Sequence, residues 1–330
     1  CALALLRSCA LALLRSCALP LLPPRPRRSV CTRCGGGPSP EAAFGLPVQK
    51  EEVWASVLGF LQGRGNNQLQ VARRRAIASR CRVVYNLGPG GCGKSLAIAA
   101  HLALFARSSP GLTILITYSN EAWQAVVRQL RQKLGFAYGS CLLIFVRDSS
   151  RAEREEWEAE FGPVFYNPDK GSLLDQLAGV RILICTFAQA EKQLVLNLGR
   201  HDDVLGQIVN VFIDEGGQVS SADTSPLMLI GVPEVAFLYF YGDSFQLPPH
   251  VTSSIPWVQE YLRRTPFDTF SLPGNRARLG AASMWTTTIH RFWDPILRGL
   301  SDMWYRGTLI PMFVSAGTDA EQEPEMSFLS

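Results

Sequence analysis

The sequence lacks a strong charge imbalance. Its 330 residues include 32 Lys and Arg against 28 Asp and Glu, but residues 1–40 hold six of the arginines (Arg7, Arg15, Arg25, Arg27, Arg28 and Arg33) and no acid. Residues 41–330 therefore carry 26 basic against 28 acidic side chains, a net of −2. Such a body does not announce nucleic-acid binding by charge alone, and any such role must come from local motifs. A disulfide framework is also missing: nine cysteines, an odd number without regular spacing, argue for a reducing compartment. The apolar start is broken by Arg7 and Arg15 before it reaches the ~20 residues of a membrane span, so no membrane partner is expected. What is present is 47% hydrophobic residues, enough for a large core in about two domains.

Residues 1–8 (CALALLRS) repeat at 9–16 and decay into CALPLLPP at 17–24. An eight-residue period is too short for a solenoid unit, and residues 1–40 read as a low-complexity basic leader, disordered or artefactual. The absence of an initiator Met suggests a missing true start or a segment translated from repetitive DNA, while the acid-free, Arg- and Leu-containing composition also resembles an organelle transit peptide. Cys31 and Cys34 have the spacing of half a zinc site, but no second pair follows, which favours free thiols.

From residue 82 short apolar runs alternate with helix-length stretches: 82–87, 112–117, 141–146, 180–185, 208–213 and 235–241. Continuous apolarity marks strands buried on both faces, hence a parallel sheet covered by helices. Helices are expected at Ser95–Ala106, Asn120–Lys133, Arg151–Glu160 and Ala188–Asn197, giving a doubly wound α/β chain. Residues 41–81 read as a helical accessory segment patterned on Val53, Trp54, Val57, Leu58 and Leu61.

The sharpest signal is Gly88-Pro89-Gly90-Gly91-Cys92-Gly93-Lys94-Ser95, which fits G-x-x-x-x-G-K-[ST] between a strand and a helix. Gly88, Gly90, Gly91 and Gly93 let backbone N–H groups turn around phosphate oxygens, Lys94 adds a full charge, and Ser95 can ligate Mg²⁺. The expected cofactors are ATP and magnesium. Such a loop needs a carboxylate from the end of a neighbouring strand, and 208–213 delivers Asp214 and Glu215. Asp214 is the candidate Mg²⁺ ligand and Glu215 the candidate base for an attacking water.

Asp214-Glu215-Gly216-Gly217-Gln218 resembles the DEAGQ box of superfamily 1B helicases of the up-frameshift type, with Gly216 in place of the family's alanine. Gly242-Asp243-Ser244-Phe245-Gln246-Leu247-Pro248-Pro249 resembles the same family's GDxxQLPP motif. The resemblance implies a RecA-like P-loop NTPase fold, ATP-driven translocation on single-stranded RNA or DNA with 5′-to-3′ polarity in the full-length form, and a γ-phosphate-sensing role for Gln246. Weaker matches follow in order. Thr117-Tyr118-Ser119-Asn120 is similar to the family's backbone-gripping motif, which would make Ser119 and Asn120 nucleic-acid contacts; both also suit helix caps. Thr186 falls on a second backbone-contacting threonine, or is a strand-end hydroxyl. Gln70 is the candidate adenine reader, or part of a solvated polar run.

Thr288-Ile289-His290-Arg291-Phe292 and the trailing Met303-Trp304-Tyr305-Arg306-Gly307 look like the family's QYRMHPxI and FYxGxL stretches, which open the second RecA-like domain. Arg291 would reach across to the γ-phosphate, or pair with Asp294. The expected organisation is a leader (1–40), an accessory segment (41–81), a first RecA-like ATP-binding domain (82–285) and the start of a truncated second one (286–330). The competing reading is a catalytically incompetent nucleotide-binding fragment or interaction module. The family works in cytoplasm and nucleus, and the basic leader permits organelle import.

Overall fold

The computed structural model describes residues 51–62, 82–109, 111–146, 150–190, 207–224, 237–271, 282–285, 288–289, 294–307 and 309–311. Seven strands form one sheet: β1 (Val83–Leu87), β2 (Leu112–Thr117), β3 (Leu142–Phe145), β4 (Ile182–Thr186), β5 (Ile208–Ile213), β6 (Phe237–Gly242) and β7 (Ala282–Trp285). All six expected strands are there, and β7 adds a seventh at the edge. The spatial order is β3-β4-β2-β5-β6-β1-β7, and every pairing is parallel. This is the α/β, RecA-like layout that the motifs implied.

One expectation is corrected by this order. The strand carrying the acidic pair is not the neighbour of the strand that feeds the glycine loop; β6 is inserted between β5 and β1. Sequence order cannot reveal such an insertion, because parallel strands are linked by crossovers of a dozen or more residues and any slot is reachable.

The apolar runs are buried on both faces, as their continuity requires. Val84, Leu115, Ile144, Ile184, Phe212 and Tyr239 join one cluster, and the alternating Tyr85, Ile114, Phe145, Leu183, Val211 and Phe240 join the other. The first face is covered by α1 (Glu51–Gln62), α2 (Lys94–Ser108), α3 (Asn120–Arg128) and α4 (Arg151–Phe161). Trp123 on α3 is fully buried there and meets Trp157 and Phe161 of α4 edge-on at 5.5 and 5.3 Å. The second face is covered in part by Leu173 and by Phe267. Three buried polar groups satisfy one another across the sheet: Tyr239 donates to Asn210 Oδ1 at 3.4 Å, and Asn210 Nδ2 to Thr113 Oγ1 at 3.3 Å.

Helix α3 ends earlier than its periodicity suggests, because residues Gln129–Lys133 continue as one π turn. At Ala188–Asn197 only a short turn, Phe187–Gln189, precedes residues outside the described set. Two short helices, α5 (Pro256–Leu262) and α6 (Pro266–Ser271), follow β6. Beyond β7 come β8 (Thr288–Ile289), α7 (Asp294–Trp304) and β9 (Ile310–Pro311), the two strands pairing in parallel. Among the described residues no helix is long and apolar enough to cross a membrane.

Candidate nucleotide site

The candidate site residues that the structure describes lie at the carboxyl ends of strands of the parallel sheet, the edge where open α/β sheets bind ligands. Along that edge come Thr186 at β4, Ser119 and Asn120 after β2, Asp214 and Glu215 after β5, the Asp243–Gln246 turn after β6, and the glycine loop after β1. At about 4.8 Å per strand this row spans roughly 19 Å from β4 to β1.

The loop from Gly88 to Ser95 joins β1 to α2. Gly91 and Gly93 both have φ 85°, a region open to glycine and strained for other residues. Gly93 is the N-cap of α2 and makes no side-chain cap bond, so the first N–H groups of a 15-residue helix face the loop without a capping side chain. A Cβ at Gly90 would meet nothing within 4 Å, leaving the loop mouth open. Lys94 is buried, and its Nζ donates to the carbonyls of Gly88 (2.8 Å) and Pro89 (3.1 Å). The ammonium is thus folded onto the loop, where a phosphate would compete for it. Ser95 stands half-buried in the first turn of α2. Burial pushes the Cys92 thiol up, partly offset by Lys94.

The acidic pair faces the same place. Asp214 is 3% exposed; its backbone N–H donates to Ile116 O at 3.0 Å and its Oδ1 accepts from Glu215 N at 2.9 Å. Burial, then the Glu215 charge, lift its carboxyl to about 7, while the Lys94 ammonium pulls the other way. The loop and the acidic pair lie at the same end of the sheet, one strand apart. Glu215 has φ 54°, uncommon outside glycine, and its buried Oε2 has no hydrogen-bond partner.

β6 holds the two halves together. Gly88 N donates to Gly242 O at 2.9 Å on one side, and Gly216 N to Tyr241 O at 2.7 Å on the other. The glycines permit this approach: a Cβ on Gly242 would lie 2.8 Å from Gly217 N and 2.9 Å from Gly216 N. Gly216 is closely packed as well, since a Cβ there would come within 3.1 Å of the Phe267 ring. Past β6, Asp243 accepts from Phe245 N at 2.9 Å, and Gln246 Oε1 accepts a long bond of 3.5 Å from Gln218 Nε2, linking the two motifs.

Tyr305, just beyond α7, donates to Asp243 Oδ2 at 2.6 Å, and burial followed by this carboxylate raises its hydroxyl well above the usual tyrosine range. Cys92 packs against Leu297 of α7 and Leu309. The sequence reading assigned neither Tyr305 nor Asp243 a role; the only signal was their presence in the quoted motif matches.

Ser119 and Asn120 are occupied locally. Ser119 Oγ accepts from Ala122 N at 3.3 Å as the N-cap of α3, and Asn120 Oδ1 accepts from Trp123 Nε1 at 3.2 Å. Thr186 pairs in register with Thr117 and is half-buried. Gln70 and Arg291 lie outside the described residues.

The donor set fits a magnesium-bound triphosphate. An N–H-lined glycine cradle, a lysine bonded to loop carbonyls, a buried carboxylate and a carboxylate oxygen without a hydrogen-bond partner among the described residues share one edge of the sheet. Among the described residues no group of three or more His, Cys, Asp or Glu could hold a metal by itself. A phosphate-bridged Mg²⁺ needs only one or two protein carboxylates.

No family model and no curated protein matches the chain in sequence. Among solved structures it is similar to arterivirus nonstructural protein 10, a helicase, in complex with DNA: 17% identity, TM-score 0.38, covering 76% of this chain and 45% of that one. It is also similar to the DUF1998 helicase MrfA bound to DNA (12%, 0.37, 67% and 30%) and to the Pif1 helicase from Candida albicans (14%, 0.34, 67% and 39%). The chain spans less than half the length of these structures.

Proposed function

We propose that this chain is the ATP-binding part of a nucleic-acid helicase, similar to superfamily 1B enzymes of the up-frameshift type. The observation that carries this reading is the placement of the glycine loop and the Asp214–Glu215 pair on one sheet edge, the two segments bonded to β6 through Gly88 and Gly216. The glycine loop and the start of α2 hold the phosphates through backbone N–H groups, and Lys94 exchanges the carbonyls of Gly88 and Pro89 for phosphate oxygens. Ser95 and Asp214 hold Mg²⁺, which when bound neutralises charge on the phosphate oxygens. Glu215, whose buried Oε2 has no hydrogen-bond partner among the described residues, orients the attacking water and accepts its proton. Gln246, tied to Gln218, senses the terminal phosphate, and the resemblance makes Arg291, outside the described residues, the candidate for a further contact with it.

Ser119, Asn120 and Thr186, at the other end of the row, grip the backbone of single-stranded RNA or DNA. That grip does not depend on base identity. The full-length form would translocate 5′ to 3′, in cytoplasm or nucleus, with organelle import left open by the basic leader.

Binding of radiolabelled ATP with Mg²⁺ tests the reading. Lys94→Ala should abolish it, and equal binding by parent and variant would overturn the assignment. Steady-state ATPase with and without polynucleotide then separates enzyme from module. Turnover stimulated by polynucleotide and lost in Glu215→Gln supports the motor, whereas a flat baseline leaves a nucleotide-binding module.

A further inference from the structure

Both oxygens of the Asp243 carboxylate are engaged, Oδ1 by Phe245 N at 2.9 Å and Oδ2 by the Tyr305 hydroxyl at 2.6 Å. The carboxylate is 3% exposed, and the rings of Phe245 and Tyr305 meet edge to face at 5.1 Å. It borders a cavity of about 280 Å³, walled by Pro89 and Gly90 of the loop, by Gln246, and by Leu300, Trp304 and Tyr305. No lysine or arginine lines this cavity among the described residues. An anion entering it therefore has Asp243 as its nearest charged neighbour among the described lining residues.

The cavity adjoins the first residues of the phosphate loop and the glutamine proposed to sense the terminal phosphate. We propose that Tyr305 is a positioning residue for nucleotide selection: its hydroxyl holds the Asp243 carboxylate away from the terminal phosphate, so that the site accepts a nucleoside triphosphate in preference to a diphosphate. This rests on the nucleotide-site reading above. Without the hydroxyl, a nearly buried carboxylate oxygen loses its donor beside the cavity. The added repulsion falls on the ligand that carries one more phosphate. A tyrosine that merely anchored α7 would affect both nucleotides alike.

The test is titration of the full chain, with Mg²⁺, against fluorescent ADP and a non-hydrolysable fluorescent ATP analogue. Tyr305→Phe keeps the ring packed on Phe245, and should lower the triphosphate-to-diphosphate affinity ratio about tenfold, the scale of a hydrogen bond to a charged group. Diphosphate affinity should stay within about twofold. Asp243→Asn removes the charge, so alone it should hold or raise the ratio, and combined with Tyr305→Phe it should restore the ratio to the parent value. Equal losses for both nucleotides, an unmoved ratio, a fall in Asp243→Asn, or a loss that persists in the double variant each overturns the proposal. If the parent binds both nucleotides and Lys94→Ala does not, an unmoved ratio sinks only the role of Tyr305. A parent that binds neither sinks the nucleotide site itself.

Discussion

Gly217 and Asp243 are in backbone contact: a Cβ at residue 217 would lie 2.2 Å from the Asp243 carbonyl oxygen and 3.2 Å from its carbonyl carbon. The two motifs can therefore lie side by side only because one of them has no side chain there.

Gly217→Ala should lower stability by about 1–3 kcal/mol or more, because the obstruction is main chain and cannot swing aside. Gly216→Ala meets the Phe267 ring at 3.1 Å instead, and should cost less, about 1 kcal/mol. Urea denaturation of the two variants checks the order. A Gly217→Ala protein as stable as the parent would contradict the close approach.

Asp214 makes stability depend on pH in a direction opposite to that of a salt-bridged carboxylate. Its folded value, about 7, lies above the ordinary 3.8, so the folded state binds the extra proton between these values. The contribution is complete below about pH 4 and is lost as pH rises through about 7, by up to about 4 kcal/mol. Chemical denaturation of the nucleotide-free protein should show a falling slope over this window, and Asp214→Asn should remove that slope. Magnesium with nucleotide should flatten it too, since a bound cation favours the carboxylate.

Three cysteines should be unreactive in the folded protein. Cys92, Cys141 and Cys185 are buried free thiols, and burial lifts the latter two to about 12. Alkylation at about pH 7.5 followed by mass spectrometry should leave Cys141 and Cys185 unmodified until denaturant is added, since the thiolate is the reacting species.

Ser119 serves α3 as its N-cap, so Ser119→Ala should lower stability by about 1 kcal/mol whether or not nucleic acid is present. If the hydroxyl also touches a phosphate, polynucleotide affinity measured by fluorescence anisotropy should drop further than the stability loss alone can account for, and Asn120→Asp and Thr186→Ala should weaken binding as well. Unchanged affinity in the Ser119 and Thr186 variants would remove this end of the sheet from the binding surface.

Much of the layout could be read from residue types. Six strands announced themselves because a strand covered on both faces needs apolar side chains at every position, as Ile114 and Leu115 illustrate by entering opposite clusters. The glycine loop was equally plain, its spacing being dictated by phosphate geometry. β7 was not, because Ala282-Ser-Met-Trp285 is a four-residue edge strand paired, among the described strands, with β1 alone. The π turn after Arg128 was invisible too, since the apolar positions continue through Leu130 at spacing that fits an unbroken helix. The place of β6 and the meeting of Tyr305 with Asp243, 62 residues apart, are tertiary facts that no local pattern encodes.

The insertion of β6 gives the site a shared ruler. Because consecutive carbonyls, Tyr241 and Gly242, grasp Gly216 on one flank and Gly88 on the other, any slip of that strand along its axis carries cradle and acidic pair in the same direction and leaves their separation intact. A displacement of the Asp243–Gln246 turn would thus be passed to both flanks of the candidate site together.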